Sequence, residues 1–392
     1  HRGHPAERKL MSDHEIKAPS LNELGKRHSS KWRRFAPDVL PMHVAEMDFQ
    51  IAEPVQQRII KMVSESDLGY LGPVPEVASA FAKFAKGRWN WTIDESQLKL
   101  ATDVGVAVVE FLRANNVSNQ KVIINSPVYH GFWEWLGELN ITPVDVPLNP
   151  DYSLDIAGIE GQFARGIKYL LLCNPQNPVG KAFSREDLTA LAQVAKKHGA
   201  VVISDEIHAP LTYSDSVFTP YLDCGSDAEE TGVCITSSSK SWNLAGLKAA
   251  FLLTQSKAMQ DRVNLMPQAT HWRSSIIGAF AMAEAYENGV TWLDSTVETL
   301  DENRRLLESE LKRLLPEVGY HIPEAGYLAW LDVTSWNLGD KTVAKLIQDA
   351  KVSLVAGNDH GPDYVNHVRL NFGTSPEIIT EGLTRIAKAL KS

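Results

Sequence analysis

Short, unbroken apolar runs, each followed by an amphipathic stretch, govern what this chain can become. KYLLLC (168–173) leads into the turn-rich NPQNPVG, then a helical pattern, then AVVIS at 200–204. A strand covered on one face alternates apolar and polar residues, whereas a strand apolar at every position is covered on both. Between the two runs, Ser184 stands three residues before Asp187, a capping-box-like start. Leu188, Leu191, Ala192 and Ala195 share one helical face, and Gly199 stands where a helix would end. The unit reads strand, helix, parallel strand. KVIIN (121–125), TPVDVPL (142–148), VCIT (233–236) and AAFLLT (249–254) read as further strands. The expected fold class is α/β, a parallel or mostly parallel sheet flanked by helices.

Three segments are expected. Residues 1–53 are mixed and irregular, with 1–10 (HRGHPAERKL) reading as a tag remnant or disordered tail, and this segment is expected to pack with the small domain. Residues 54–290 carry the alternating strands and helices of a large domain. From 291 to 392 the pattern changes. Leu293, Val297, Leu300, Leu307, Leu311 and Leu314 recur at helical spacing, the core stripe of one long helix. The short strands GYLAWLDV, VSLVAG and HVRLNFGT follow, with helices at 340–351 and 376–391, forming a smaller α+β domain.

Composition removes several functions. The formal net charge is −9, without the basic excess a nucleic-acid binder would carry. No apolar run of about 18 residues is present, so no helical membrane span is expected. Cys173, Cys224 and Cys234 are dispersed, which suits a reducing cytoplasm rather than a disulfide framework. The chain has no GxGxxG opening a helix, no GxxxxGK[ST] and no GxSxG. Asp205, Glu206 and His208 could ligate a metal only if neighbouring strand residues shared a face, which they do not, so no metal is expected.

In open α/β sheets ligands bind beyond the C-terminal strand ends. Ser126, Pro127 and Tyr129 follow KVIIN; Asn174 and Asn177 follow KYLLLC; Asp205, Glu206 and His208 close AVVIS; Ser237, Ser239 and Lys240 follow VCIT. An amine, a carboxylate, an amide and an aromatic ring are what pyridoxal phosphate needs. It takes a lysine as a Schiff base, a carboxylate at its ring nitrogen, a donor near its phenolic oxygen and a flat stacking partner. Lys240, Asp205, Asn177 and Tyr129 match those needs in that order. Ser237, Ser239 and the helix start after Ala101 (TDVGVA) could hold the phosphate.

With these motifs in view, the chain resembles the fold-type I pyridoxal-phosphate enzymes of the class I/II aminotransferase superfamily. CNPQNPVG, VISDEIH, SSSKSWNLAGLK, VRLNFGTS and LGYLGP are similar to its asparagine, aspartate, lysine, arginine and interface-tyrosine motifs. LPMHVAEMDF, SPVYHGF, SDEIHAPLTY and YLAWLD resemble the cystathionine β-lyase, or C–S lyase, subgroup, in which His208 stands where most aminotransferases have tyrosine. The resemblance implies the family's two-domain fold and a role for each matching residue. Lys240 would carry the cofactor and later move the Cα proton, Asp205 would pair with the pyridinium, Asn177 would hold the phenolic oxygen, and Tyr129 would stack. Ser237, Ser239, Lys248 and the backbone of Val104 and Gly105 would bind phosphate, and His208 would lie beside the cofactor. Tyr70 would reach the phosphate of a partner subunit in a cytoplasmic homodimer. Arg369 would clamp the substrate carboxylate, with Asn177, Tyr70 and Glu46 beside the substrate.

Two departures stand out: Pro210 replaces an aspartate common in the subgroup, and NDHGPDYVNHVRLN brings His360, Tyr364 and His367 close before Arg369. The implied reaction is elimination of thiol from an L-cysteine S-conjugate, leaving pyruvate and ammonia. Rival readings are an aminotransferase, a pathway-specific enzyme acting on an S-conjugate, and a regulatory binding protein without turnover.

Overall fold

The computed structural model describes residues 16–392; the N-terminal run at 1–10 lies outside the described residues. A seven-stranded sheet is built from β2 (Leu98–Ala101), β3 (Lys121–Ile124), β4 (Thr142–Asp145), β5 (Tyr169–Cys173), β6 (Val201–Asp205), β7 (Gly232–Thr236) and β8 (Ala250–Leu253). Their spatial order is β2-β8-β7-β6-β5-β3-β4. Every pairing is parallel except those of β8, which runs against both β7 and β2.

The doubly covered strands are confirmed residue by residue. Leu170 and Leu172 join one apolar core, while Tyr169, Leu171 and Cys173 join the other, on the opposite face. Each leucine so buried contributes on the order of 2 kcal/mol. The intervening helix spans Arg185–Lys197, with Leu188, Leu191, Ala192 and Ala195 buried, and Gly199 has φ +63°. Its start differs in one detail. Ser184 Oγ caps Asp187 N at 3.1 Å, but the Asp187 carboxylate accepts Leu154 N at 3.1 Å rather than returning to the cap. Aspartate is one methylene shorter than the glutamate of a full capping box.

A long helix, Val290–Leu314, carries the leucine stripe and leads to a four-stranded antiparallel sheet. That sheet comprises β9 (Gly319–Tyr320), β10 (Leu328–Asp332), β12 (Val355–Ala356) and β13 (His367–Asn371), in the order β12-β13-β10-β9. VSLVAG is divided between two sheets. β11 (Val352–Ser353) pairs in parallel with β1 (Leu40–Pro41), and β12 pairs with β13. The helix read at 340–351 is broken: four α-helical residues, Thr342–Lys345, pass into a π-helical turn at Leu346–Ala350. Among the described residues, no helix is long and apolar enough to cross a membrane.

Candidate active site

Register brings the polar residues together. Cys173 pairs with Asp205 and Asp205 with Ile235, so β5, β6 and β7 end level. Because β8 is reversed, it starts at that same edge, which delivers Lys248. Ala101 pairs with Ala250, so β2 ends there too and delivers the helix start at Asp103. A cavity of about 510 Å³ opens at this edge, walled by Tyr129, Asn177, Asp205, His208, Lys240, Lys248 and Arg369.

Asp205 is 4% exposed and accepts Ile207 N at 3.2 Å. Burial pushes its carboxyl up to about 7, against smaller opposing pulls from that amide and from Lys240. Glu206, also buried, is held separately by Ser204 Oγ (2.7 Å) and Tyr221 N (3.0 Å). Among the described residues, no cluster of three His, Cys, Asp or Glu suits a metal ion.

Lys240 Nζ donates to the Ala45 carbonyl at 2.9 Å. Burial, then the neighbouring Arg369 guanidinium, bring its amine down to about 8. Arg369 is 1% exposed, donating to Asn177 Oδ1 at 3.3 Å and to His43 O at 3.0 Å. Among the described residues its Nε has no partner and no carboxylate forms an ion pair with it. A buried fork with an unpartnered nitrogen has the chemistry to take a carboxylate. Because Asn177 Oδ1 faces Arg369, its Nδ2 is the donor left for another acceptor.

At the opposite end, the helix Val104–Ala114 starts in the wall. Asp103 caps Val106 N at 2.7 Å, and the first-turn amides of Val104 and Gly105 have no acceptor within the helix. A Cβ on Gly105 would lie 2.5 Å from Trp135 Nε1, so glycine is what lets the indole close on this turn. Lys248, at φ +53°, sets its Nζ 3.5 Å from Asp103 Oδ2, and Ser239 lines the cavity. Ser237 is placed differently. Its Oγ donates to Ala249 O at 2.5 Å and accepts Ser239 N at 3.0 Å, which ties the turn and leaves it off the wall.

Glu46 and Tyr70 also stand off the wall. The Glu46 carboxylate accepts Ser29 Oγ at 2.7 Å, and Tyr70 is fully exposed. What sequence reasoning missed is the strap beside Glu46. His43, Val44 and Ala45 form a wall of the cavity, held by Asn371 Nδ2 on the carbonyls of Val44 and Glu46, both at 2.7 Å. A buried Lys31–Asp48 ion pair at 2.8 Å fixes the strap from behind. Lys31 stands in the short basic run Lys31-Trp32-Arg33-Arg34, yet it is buried. Three imidazoles line the cavity, and burial lowers His43 and His130 to about 4 and His208 to about 3, so all are neutral.

The donor set therefore has polarity from end to end: free amides and Lys248 at one pole, a carboxylate at the floor, and an unpaired guanidinium at the other pole. A flat ring bearing a phosphate and a cationic nitrogen satisfies each of these groups, with an incoming carboxylate at Arg369.

The sequence profile of the family described as aminotransferase class I and II matches residues 37–386. A cystathionine beta-lyase from Corynebacterium glutamicum is 31% identical, across 96% of this chain and 100% of its own length. An aspartate aminotransferase from Thermotoga maritima is 27% identical, across 91% and 92%. Among solved structures, the PLP-bound C–S lyase from Staphylococcus hominis superposes with a TM-score of 0.86 at 26% identity, covering 93% of this chain and 96% of that one. The chain belongs to the class I and II aminotransferase family of pyridoxal-phosphate-dependent enzymes, on its cystathionine β-lyase branch.

Proposed function

We propose that this enzyme is a carbon–sulfur β-lyase that splits L-cysteine S-conjugates into thiol, pyruvate and ammonia. A buried guanidinium with no anion partner among the described residues and a lysine amine in the same cavity suit an amino-acid substrate, and the 31% identity to a cystathionine beta-lyase is the observation that favours elimination over transamination. Pyridoxal phosphate, when bound, supplies an aldehyde that takes up an amine and a ring that accepts electrons from Cα.

This chain's residues do the rest. Lys248, Ser239 and the amides of Val104 and Gly105 would hold the phosphate. Asp205 would pair with the ring nitrogen, Asn177 Nδ2 would donate to the phenolic oxygen, and Tyr129 would lie against the ring. Arg369 takes the substrate carboxylate and fixes the orientation of the Cα–H bond. Lys240, whose lowered pKa leaves a usable fraction of the amine unprotonated, removes the Cα proton. The Cβ–S bond breaks with its electron pair leaving on sulfur. The three-carbon fragment, with water, yields pyruvate and ammonia. Tyr70, exposed in its own chain, would complete the phosphate site of a second copy.

Asp205 carries a pH signature. Its folded value lies above the ordinary carboxyl value near 4, so its contribution to stability is full below about 4 and is lost as pH rises to about 7. In cofactor-free protein, Asp205→Asn should leave stability near pH 4 unchanged and raise it above pH 7, by at most about 4 kcal/mol. With cofactor bound the ordering reverses, because the carboxylate then has a cation. Urea denaturation at both pH values, with and without cofactor, reads this. A pH-independent difference would contradict it.

The reading is tested by incubating the yellow protein with L-cystathionine and simpler S-conjugates and following free thiol. Continuous release supports it; no release from any conjugate refutes it.

A further inference from the structure

Between β12 and β13 the chain makes a detour whose histidines the proposed reaction leaves unused. Both strands meet at Arg369, which lies in β13 and pairs with Val355 of β12. The detour is thus anchored beside that guanidinium at both ends. It opens with the turn Gly357–His360 and is folded tightly, for a Cβ on Gly357 would collide with the carbonyls of Tyr364 and His367.

His360 is fully buried. Its Nδ1 lies 3.3 Å from Ala356 O. A carbonyl only accepts, so Nδ1 carries the proton and Nε2 is a bare acceptor without a partner among the described residues. Trp330 packs on the His360 ring at 5.3 Å, and His367 stacks on Trp330 at 4.9 Å and 15°. The His360 carbonyl accepts Val128 N at 3.0 Å, which joins the detour to the loop bearing Tyr129 and His130. The ring of His130 meets that of His360 edge-on, at 5.6 Å and 80°. His130 lines the cavity; among the described residues its Nδ1 is buried without a partner, which leaves Nε2 as the ring nitrogen open to the cavity.

Two imidazoles therefore stand in line from the cavity wall inward, each with an unsatisfied ring nitrogen. Burial and the nearby guanidinium keep both neutral. The sulfur of an S-conjugate is three bonds from the carboxylate carbon that Arg369 would take, so its substituent extends into the same cavity that His130 lines. An unpartnered polar atom there rewards a ligand that can hydrogen-bond and penalises one that cannot.

We propose that His130 is a specificity-determining residue of this site, with His360 positioning it, and that the pair selects conjugates whose sulfur substituent carries an uncharged hydrogen-bonding group. This rests on the lyase reading above. S-(2-hydroxyethyl)-L-cysteine and S-propyl-L-cysteine are near-isosteres that isolate the effect. The wild-type holoenzyme should favour the hydroxyethyl conjugate by about tenfold in kcat/KM, the worth of one such bond. His130→Phe keeps a ring and removes the nitrogens. It should bring the preference within about twofold, through KM for the hydroxyethyl conjugate, with the propyl conjugate little changed. His360→Phe should reduce the preference in the same sense.

Calorimetry with 3-(2-hydroxyethylthio)propanoic acid and 3-(propylthio)propanoic acid gives a second readout. These lack the amine and bind without reacting. The same preference in binding, lost in His130→Phe, supports the proposal even without turnover, a result that would count against the lyase reading instead. No preference in wild-type binding, or one that survives in His130→Phe, overturns the proposal. Equal losses on both conjugates in His360→Phe overturn the positioning role of His360.

Discussion

Lys240→Ala should reduce turnover by about 10⁴-fold or more while the protein stays folded. Proton transfer by a positioned side chain is worth about 10² to 10⁴ on its own, and Lys240 also provides the amine that holds the cofactor. The side chain makes one polar contact, to the Ala45 carbonyl, and otherwise faces the cavity. Its removal therefore leaves an acceptor next to open space rather than a void in the core. Near-wild-type thermal unfolding with loss of the yellow absorbance is the expected pair of results. A Lys240→Ala protein that remains coloured and active would remove the amine from the mechanism. On the proposed reading Lys248 cannot substitute, because it would hold the phosphate beside Asp103.

Arg369→Leu should lower kcat/KM by about 30-fold to several thousandfold, corresponding to the 2–5 kcal/mol lost when one member of a buried charge pair is truncated. Cofactor absorbance should be retained, since the guanidinium's present partners are Asn177 Oδ1 and the His43 carbonyl. Arg369→Lys should recover little. An ammonium keeps the charge but cannot present the two parallel donors of the fork. Titration with L-cysteine conjugates, read as both KM and kcat, checks this. An unchanged kcat/KM in Arg369→Leu would show that the carboxylate binds elsewhere.

Much of this architecture was legible before any coordinates. KYLLLC read as a doubly covered strand because Tyr169 to Cys173 is an unbroken apolar run, and the two cores on either face of β5 show why. The helix between it and AVVIS was legible down to its buried face and its Gly199 stop. Strand direction was not, since an apolar run such as AAFLLT looks the same in either sense. Yet the reversal of β8 is what brings Lys248 to the site. VSLVAG read as one strand because nothing in its composition marks Leu354 as the point where pairing passes from β1 to β13.

At the site, side chains were easier to read than backbone. Lys240, Asp205, Asn177, Tyr129 and Arg369 are distinctive residue types at strand ends, and the structure gathers them around one cavity. The Ala45 carbonyl that receives Lys240 left no trace in the sequence, because any residue supplies that oxygen. Three consecutive serines were indistinguishable in the same way. Only the fold shows that Ser239 faces the cavity while Ser237 is turned to Ala249. Lys31 belonged to a short basic run that resembled a solvated face, and its partner Asp48 lies seventeen residues on, beyond any local pattern.

The central claim is that the electrons drawn from Cα leave through Cβ with sulfur instead of remaining for exchange with a keto acid. Counting pyruvate per protomer during incubation with L-cystathionine, with no keto acid added, tests this most directly. The account predicts many equivalents of pyruvate, matched one for one by ammonia and thiol. A single equivalent of product, renewed only when a keto acid is supplied, would make the enzyme an aminotransferase and contradict it.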